Sequence, residues 1–278
     1  SDNLNLSFLN EFFNKKDLIN DFYSPVSLDD LPYPDWGSYA KSYPLRNDFF
    51  SLNQKIAVPL LGTRGCPYSC FFYCTYPLQQ GRKVRARSVE NIIEEIRYWK
   101  KKLGTNKFVF RDPVFSINRK HTIEFCKQVI DKELDITFMV ETHLNNLDDE
   151  MIPLLKKAGL ELVYVGVESS SHVVLKDMKR FTVEHDKQYK VIKKCEDAGI
   201  TVKTMFIIGN PEDTEDTIIA SIEYSKYLPS LYAQFSVFTP YPGTPVYGDF
   251  KNLINEDKLE NFNQYNLVFK HKHPVQNE

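Results

Sequence analysis

The run Ile56-Ala57-Val58-Pro59-Leu60-Leu61 leads, three residues later, into Arg64-Gly65-Cys66-Pro67-Tyr68-Ser69-Cys70-Phe71-Phe72-Tyr73-Cys74. A short apolar run of this length reads as a strand, although Pro59 fits a sheet edge better than a sheet centre. The strand delivers the chain into a loop that carries three of its five cysteines. Three thiolates this close can hold three corners of a metal cluster and leave the fourth corner for chemistry. Structural zinc prefers four ligands, usually as two separated pairs. No second pair follows here, and His121 and His143 lie far off in sequence. Residue types alone therefore leave three readings: an iron–sulfur cluster, zinc with a borrowed distant ligand, and structural cysteines. An odd cysteine count argues against a disulfide framework and for a reducing compartment. Cys126 and Cys195 are expected as buried thiols on helices.

Outward from this loop the apolar pattern alternates between periods of two and 3.6. Strands are expected over 56–61, 107–110, 136–140, 162–167, 201–208 and 233–238. Helices are expected over 88–103, 120–132, 148–158, 185–198 and 214–227, with Ser88 and Asp148 as N-caps and Gly159 and Gly199 as stops. Strands separated by helices imply βαβ units and a parallel sheet with right-handed crossovers. Periodicity leaves a doubly wound sheet and a partial barrel both open. Residues 1–54 stand outside the rhythm as a helical or extended arm, with Pro25, Pro32, Pro34 and Pro44 in its second half. The core is assigned to 55–248. Residues 249–263 are expected as a further helix, and the end of the chain as a tail.

Bulk properties narrow the function. The 278 residues are 42% hydrophobic and 26% charged, ordinary for a globular chain that buries one large core. A net charge of −2 gives no global pull toward nucleic acid or an anionic membrane. No apolar run approaches the roughly 18 residues of a membrane helix, and the first ten residues show no secretory pattern. There is no Walker or Rossmann glycine loop and no basic–aromatic platform for nucleic acid. These features predict a cytoplasmic protein with a small-molecule substrate, no nucleic-acid partner and no membrane partner.

The cysteine loop and the motifs after it resemble the radical S-adenosylmethionine (SAM) superfamily. The likeness covers about residues 30–250. After Arg64-Gly65-Cys66-Pro67-Tyr68-Ser69-Cys70 come Thr75-Tyr76-Pro77, Gln80-Gly81-Arg82, Arg87-Ser88, Glu94-Glu95-Ile96 and Phe110-Arg111-Asp112-Pro113. Then follow Gly166-Val167-Glu168-Ser169, Phe206-Ile207-Ile208-Gly209-Asn210-Pro211 and Tyr241-Pro242-Gly243-Thr244-Pro245. The resemblance implies an α/β fold, a partial (β/α)6 TIM-like barrel with an N-terminal arm. It further implies that Cys66, Cys70 and Cys74 hold a [4Fe–4S] cluster whose open iron takes SAM. The reduced cluster would cleave SAM to a 5′-deoxyadenosyl radical, with an electron donor such as flavodoxin or ferredoxin.

The resemblance also places site residues. Tyr73 inherits a position against the adenine of SAM, and Asp112 and Pro113 the position that binds its amino group. Glu168 is placed near the ribose, at the strand end where barrel sites sit. Arg180, beside Lys179, is placed on the SAM carboxylate, which arginine binds bidentately. Asn210 and Tyr241 are further candidates at the barrel mouth. Glu141 and His143 are expected to move protons in catalysis. The basic run Arg82, Lys83, Arg85 and Arg87 reads as a solvated loop.

One departure bears on the reaction. The superfamily spacing is Cys-x3-Cys-x2-Cys, and here it is Cys-x3-Cys-x3-Cys. This resembles radical SAM diol dehydratases of aminoglycoside biosynthesis, which implies removal of a hydroxyl from a polyhydroxylated substrate. The segment Leu31-Pro32-Tyr33-Pro34-Asp35-Trp36 instead resembles the linker of cobalamin-dependent radical SAM methyltransferases. A cobalamin domain needs roughly 100 residues, more than the 54 preceding the first strand, and no Asp-x-His-x-x-Gly motif is present. A reading of another class is a non-catalytic metal-binding module that docks a partner.

Overall fold

The computed structural model describes residues 27–42, 57–68, 70, 73–256 and 258–273. The chain divides into two units, residues 1–33 and 34–278. In the first, the described residues hold one 3-10 turn, Leu28–Asp30, whose N-cap Ser27 accepts from the Asp29 amide.

The second unit opens with helix α1 (Trp36–Ser42), so this part of the expected arm is helical rather than extended. Strand β1 (Ala57–Leu60) precedes the cysteine loop, which is flanked by β2 (Thr63–Arg64), α2 (Tyr76–Gln80) and β3 (Arg85–Ala86). Then come α3 (Val89–Leu103), β4 (Lys107–Phe110), α4 (Arg119–Asp131), β5 (Thr137–Thr142), α5 (Met151–Lys157) and β6 (Leu160–Glu168). The rest is α6 (His172–Asp177), α7 (His185–Asp197), β7 (Thr201–Ile208), α8 (Glu215–Tyr227), β8 (Tyr232–Val237) and α9 (Pro245–Phe250).

Among the described residues the main sheet has six strands in the order β1-β4-β5-β6-β7-β8, every neighbouring pair parallel. A doubly wound sheet reverses its strand order at a switch point. Here spatial order follows chain order without reversal, so each crossover turns the same way and the sheet curls into a partial barrel. β1 is an edge strand, which explains why it tolerates Pro59.

Register sets what the barrel holds. Pro59, Val109 and Met139 form one row across β1, β4 and β5. Glu141, Tyr164, Lys203 and Tyr232 form the next across β5 to β8, and Gly166, Met205 and Gln234 the row above. The row below Pro59, Val109 and Met139 is Ala57, Lys107 and Thr137, so polar groups stand at both ends of the barrel. On the outer face, Phe110, Phe125 and Phe138 meet edge to face with centroids 5.3–5.7 Å apart, locking α4 onto β4 and β5.

Helix starts follow local chemistry. Ser88 accepts from the Asn91 amide to cap α3, and Asn118 caps α4. Thr214 and Thr217 form a reciprocal capping box at α8. Asp148 accepts from the Glu150 and Met151 amides, although regular helix begins only at Met151.

The expected helix over 249–263 does not form as one element. α9 ends at Phe250, and the chain folds back so that Ile254 bridges Phe269 and the Asn255 amide donates to the Val268 carbonyl. These contacts bury Phe262, Val268 and Phe269 with Phe238 and Val246. The segment after Phe269 is not a free tail as far as it is described. His271 Nε2 lies 2.7 Å from the Asn210 carbonyl oxygen, and Lys272 pairs with Glu212.

Candidate active site

The cysteine loop is held at its base by backbone and carboxylate. β2 and β3 pair antiparallel, Thr63 with Ala86 and Arg64 with Arg85. The Cys66 amide donates to the Gly81 carbonyl (3.1 Å), and Arg82 Nη2 to the Pro67 carbonyl (2.8 Å). Gly65 has φ +99°, and a Cβ there would strike the Lys83 carbonyl, so the approach demands glycine. Arg87 is not solvated. It ion-pairs with buried Glu95 (2.5 Å), which also accepts from the Trp99 indole (3.2 Å), and it donates to the Leu61 carbonyl.

Asp112 completes this base. Its carboxylate accepts from the Gly62 amide (3.0 Å), the Thr63 amide (2.5 Å) and the Thr63 hydroxyl (2.6 Å). The side chain is 1% exposed, and burial raises its pKa to about 6 despite those bonds. Asp112 was expected to bind the SAM amino group; its carboxylate braces the loop entrance, and its neighbour Pro113 lines the cavity.

All three cysteines of the loop line a cavity of about 140 Å³ at the carboxyl ends of the strands, with Tyr73, Pro113, Glu141, His143, Glu168 and Arg180. Tyr73, Cys74, Tyr76, Glu168 and Met205 also border a second cavity of about 240 Å³, which continues past Gln234, Ser236, Tyr241 and Gln264. The neighbouring thiols act in opposite directions, the contact with Cys74 lowering Cys70 and the contact with Cys70 raising Cys74. Burial raises Cys66. Burial raises Tyr73 as well, and its ring lies 6.3 Å from Phe238.

Glu168 stands at the end of β6 with φ +67°, just past a bulge in the β6–β7 register. Such bulges re-aim side chains beside active sites. Its carboxylate is 3.4 Å from Arg180 Nη2, and both side chains are about nine-tenths buried. Arg180 also donates to the Gly166 carbonyl (2.9 Å) and to Cys70 Sγ (3.8 Å). Arg180 was expected on the SAM carboxylate; in the structure its Nη1 and Nη2 face Cys70, Gly166 and Glu168.

The two expected proton movers are also committed. Glu141 pairs with Arg111 (3.2 Å) and accepts from the Tyr76 hydroxyl (3.2 Å), while burial raises its pKa. His143 is 4% exposed, with Nδ1 accepting from the Asn145 amide (3.2 Å) and its ring against Tyr68 and Phe181. Burial drives its pKa down to about 4, so it stays neutral. Asn210 is not at this site. It is fully buried in the turn after β7, where its side-chain amide donates to Ile207 and Asp213. Tyr241 lines the second cavity.

Sequence reading missed Arg111, Tyr164, Met205, Gln234 and Gln264. Strand alternation held the signal for three of them. Tyr164, Met205 and Gln234 lie on the inward face of apolar strands by period-two counting from Gly166, Ile207 and Ser236.

The residues fit the cluster their pattern implies. Three soft thiol donors border one cavity beside a guanidinium that offsets thiolate charge. Among the described residues no three His, Cys, Asp or Glu side chains converge on a point as a single ion requires. The donors of a cubane bind separate irons and need not converge. Cys126 and Cys195 lie buried on helices, and burial raises both thiols to about 12.

Comparison with known proteins agrees. The model of the radical SAM superfamily matches residues 60–224. This chain belongs to the radical SAM superfamily. As a radical SAM enzyme it uses a [4Fe–4S] cluster and SAM. An uncharacterised methyltransferase of Pyrococcus horikoshii is 31% identical over 216 residues, 77% of this chain and 47% of the relative. The anaerobic magnesium-protoporphyrin IX monomethyl ester cyclase of Rubrivivax gelatinosus is 29% identical over 248 residues, 88% of this chain and 42% of the relative. The chain thus spans about half the length of the curated relatives it matches. Among solved structures, the radical SAM methyltransferase TsrM from Kitasatospora setae, with cobalamin and a [4Fe–4S] cluster bound, superposes with a TM-score of 0.66 at 20% identity. The match covers 72% of this chain and 37% of TsrM, a likeness of fold. No helix among the described residues is long and apolar enough to cross a membrane.

Proposed function

We propose that this chain is the catalytic barrel of a radical SAM methyltransferase of the cobalamin-dependent kind. The observation that carries the methyltransferase reading is the uncharacterised methyltransferase relative at 31% identity across 77% of the chain, and the segment Leu31-Pro32-Tyr33-Pro34-Asp35-Trp36 supports the cobalamin-dependent kind. The site is compatible with it. The cavity at the cysteines and the second one share Tyr73, Cys74, Tyr76, Glu168 and Met205 in their walls, so the two adjoin at the carboxyl ends of the strands.

Removal of a hydroxyl, the reading drawn from the cysteine spacing, loses its support. The relatives compared are a methyltransferase and a cyclase rather than dehydratases.

In this reading Cys66, Cys70 and Cys74 are the cluster ligands. When bound, the cluster and cobalamin supply the electron and the methyl-carrying chemistry, and the protein supplies position and dryness. Tyr73 and Pro113 wall the SAM side of the cavity. Tyr76 and Arg111 hold Glu141 as a fixed carboxylate on the inner wall. Gln234, Tyr241 and Gln264 offer polar contacts to the second reactant.

The test is anaerobic turnover of the cluster-loaded protein with dithionite and methyl-labelled SAM, with and without added cobalamin. Methyl transfer predicts S-adenosylhomocysteine that depends on cobalamin. Release of 5′-deoxyadenosine alone, unchanged by cobalamin, would sink the methyltransferase reading and leave the superfamily assignment intact.

A further inference from the structure

Arg180 and Glu168 are placed for a task that cluster binding alone does not require. Neither is a cluster ligand by type: one is a cation, and the other is a carboxylate already paired. Arg180 reaches the site from the loop after α6, where its amide bonds the Leu175 carbonyl. One guanidinium nitrogen, Nη1, points at Cys70 Sγ at 3.8 Å. The other, Nη2, is fixed by the Gly166 carbonyl at 2.9 Å and by Glu168 at 3.4 Å. Gly166 is glycine for this reason, since a Cβ would land on Glu168 Oε1 and Arg180 Nη2.

A buried cation–anion pair is weak evidence of stability, because desolvation offsets much of the attraction. A pair with one end on a ligand sulfur has another use. Hydrogen bonds to cluster sulfurs and local net charge set the reduction potential of an iron–sulfur centre. Reduction adds one negative charge, and an N–H donor and a cation beside Cys70 favour the reduced form.

We propose that Arg180 is a positioning residue that raises the reduction potential of the cluster through Cys70, and that Glu168 moderates it as the counter-charge. The pair acts as a matched set. Removing the cation leaves the thiolate facing an uncompensated carboxylate, whereas removing the carboxylate leaves the cation to act alone. The two changes therefore move the cluster in opposite directions. This inference rests on Cys70 being a ligand.

The experiment is a redox titration of the anaerobically reconstituted chain, followed by electron paramagnetic resonance, with and without SAM. Arg180→Gln is expected to lower the ratio of reduced to oxidised cluster about tenfold at a fixed potential, which is 59 mV for a one-electron couple. Glu168→Gln is expected to raise that ratio, and Arg180→Lys, which keeps the charge and loses the fork, to fall between wild type and Arg180→Gln. Since the potential is read only from folded, cluster-loaded molecules, a merely structural role predicts unchanged midpoints at reduced yield, and that result overturns the proposal. Shifts of the same sign in both neutral variants overturn it too, as does lost SAM affinity with an unmoved midpoint. Iron content of Cys70→Ala tests the separate premise. Full retention of the cluster there refutes the ligand assignment instead.

Discussion

At the scale of single residues, several side chains are fixed by space rather than by chemistry of their own. Gly166→Ala drives a methyl group into the Glu168–Arg180 pair. We expect a loss of about 1–3 kcal/mol, the range for overpacking, read as a lower urea midpoint. Gly248, in α9, is the opposite case: a Cβ there would meet nothing within 4 Å, and its backbone is not left-handed. Gly248→Ala is expected to be neutral or to stabilise by roughly 0.5–1 kcal/mol. His143 gives a pH dependence with a definite sign. The folded protein protonates it near 4 and the unfolded chain near 6.5. Its contribution is therefore complete above 6.5 and shrinks as pH falls toward 4. Between pH 7.5 and 5 the wild type should lose about 2 kcal/mol more than His143→Gln, at about 1.4 kcal/mol per pKa unit, measured by chemical denaturation at both pH values. The chemistry at this scale was half legible. Cysteine type and spacing left three readings open, and only the ordered motifs after the loop favoured the cluster. Asp112, Glu141 and His143 were found just past strands and Arg180 in a loop after a helix, but their partners Thr63, Arg111, Asn145 and Cys70 come from elsewhere in the chain or from backbone, and no local pattern shows which partner wins.

At the scale of elements, the periods were easy to read because each strand and helix has one face in the core. The expected segment 107–110 is β4 itself, and 201–208 is β7. Caps explain the sharp starts. Ser88→Ala removes the acceptor for the Asn91 amide and should cost α3 about 1 kcal/mol, seen in the thermal midpoint. Ser88→Asp should restore most of it. The failure lies after Phe250, where the pattern of 249–263 suits a helix yet Ile254 is spent on a bridge to Phe269. A tertiary contact with a residue 15 positions away overrides local preference, and local preference is all a window of sequence reports. The cysteine-loop staple was likewise invisible as structure, since β2 and β3 are two residues each.

At the scale of the whole molecule, alternation announced a parallel sheet but not its order. Order depends on which strands become neighbours across some thirty residues of crossover, and the unreversed sequence β1-β4-β5-β6-β7-β8 is what makes the barrel. The site spans β4 to β8, so a ligand there ties several elements together. SAM at 100 times its dissociation constant should stabilise the cluster-loaded protein by about 2.7 kcal/mol. The Cys66→Ser variant should show little of this shift, and an equal shift in both would place SAM elsewhere. The edge strand carries one further consequence. Leu60 gives its carbonyl to the Arg111 amide, so by the alternation of a strand the backbone of Pro59 faces away from β4. Proline has no N–H to offer on that side. A foreign β-segment sliding along this flank would meet a missing rung, and edge-to-edge association is frustrated where the open barrel is most vulnerable to it. One residue in the first strand thus bears on how concentrated this protein can be kept before it aggregates.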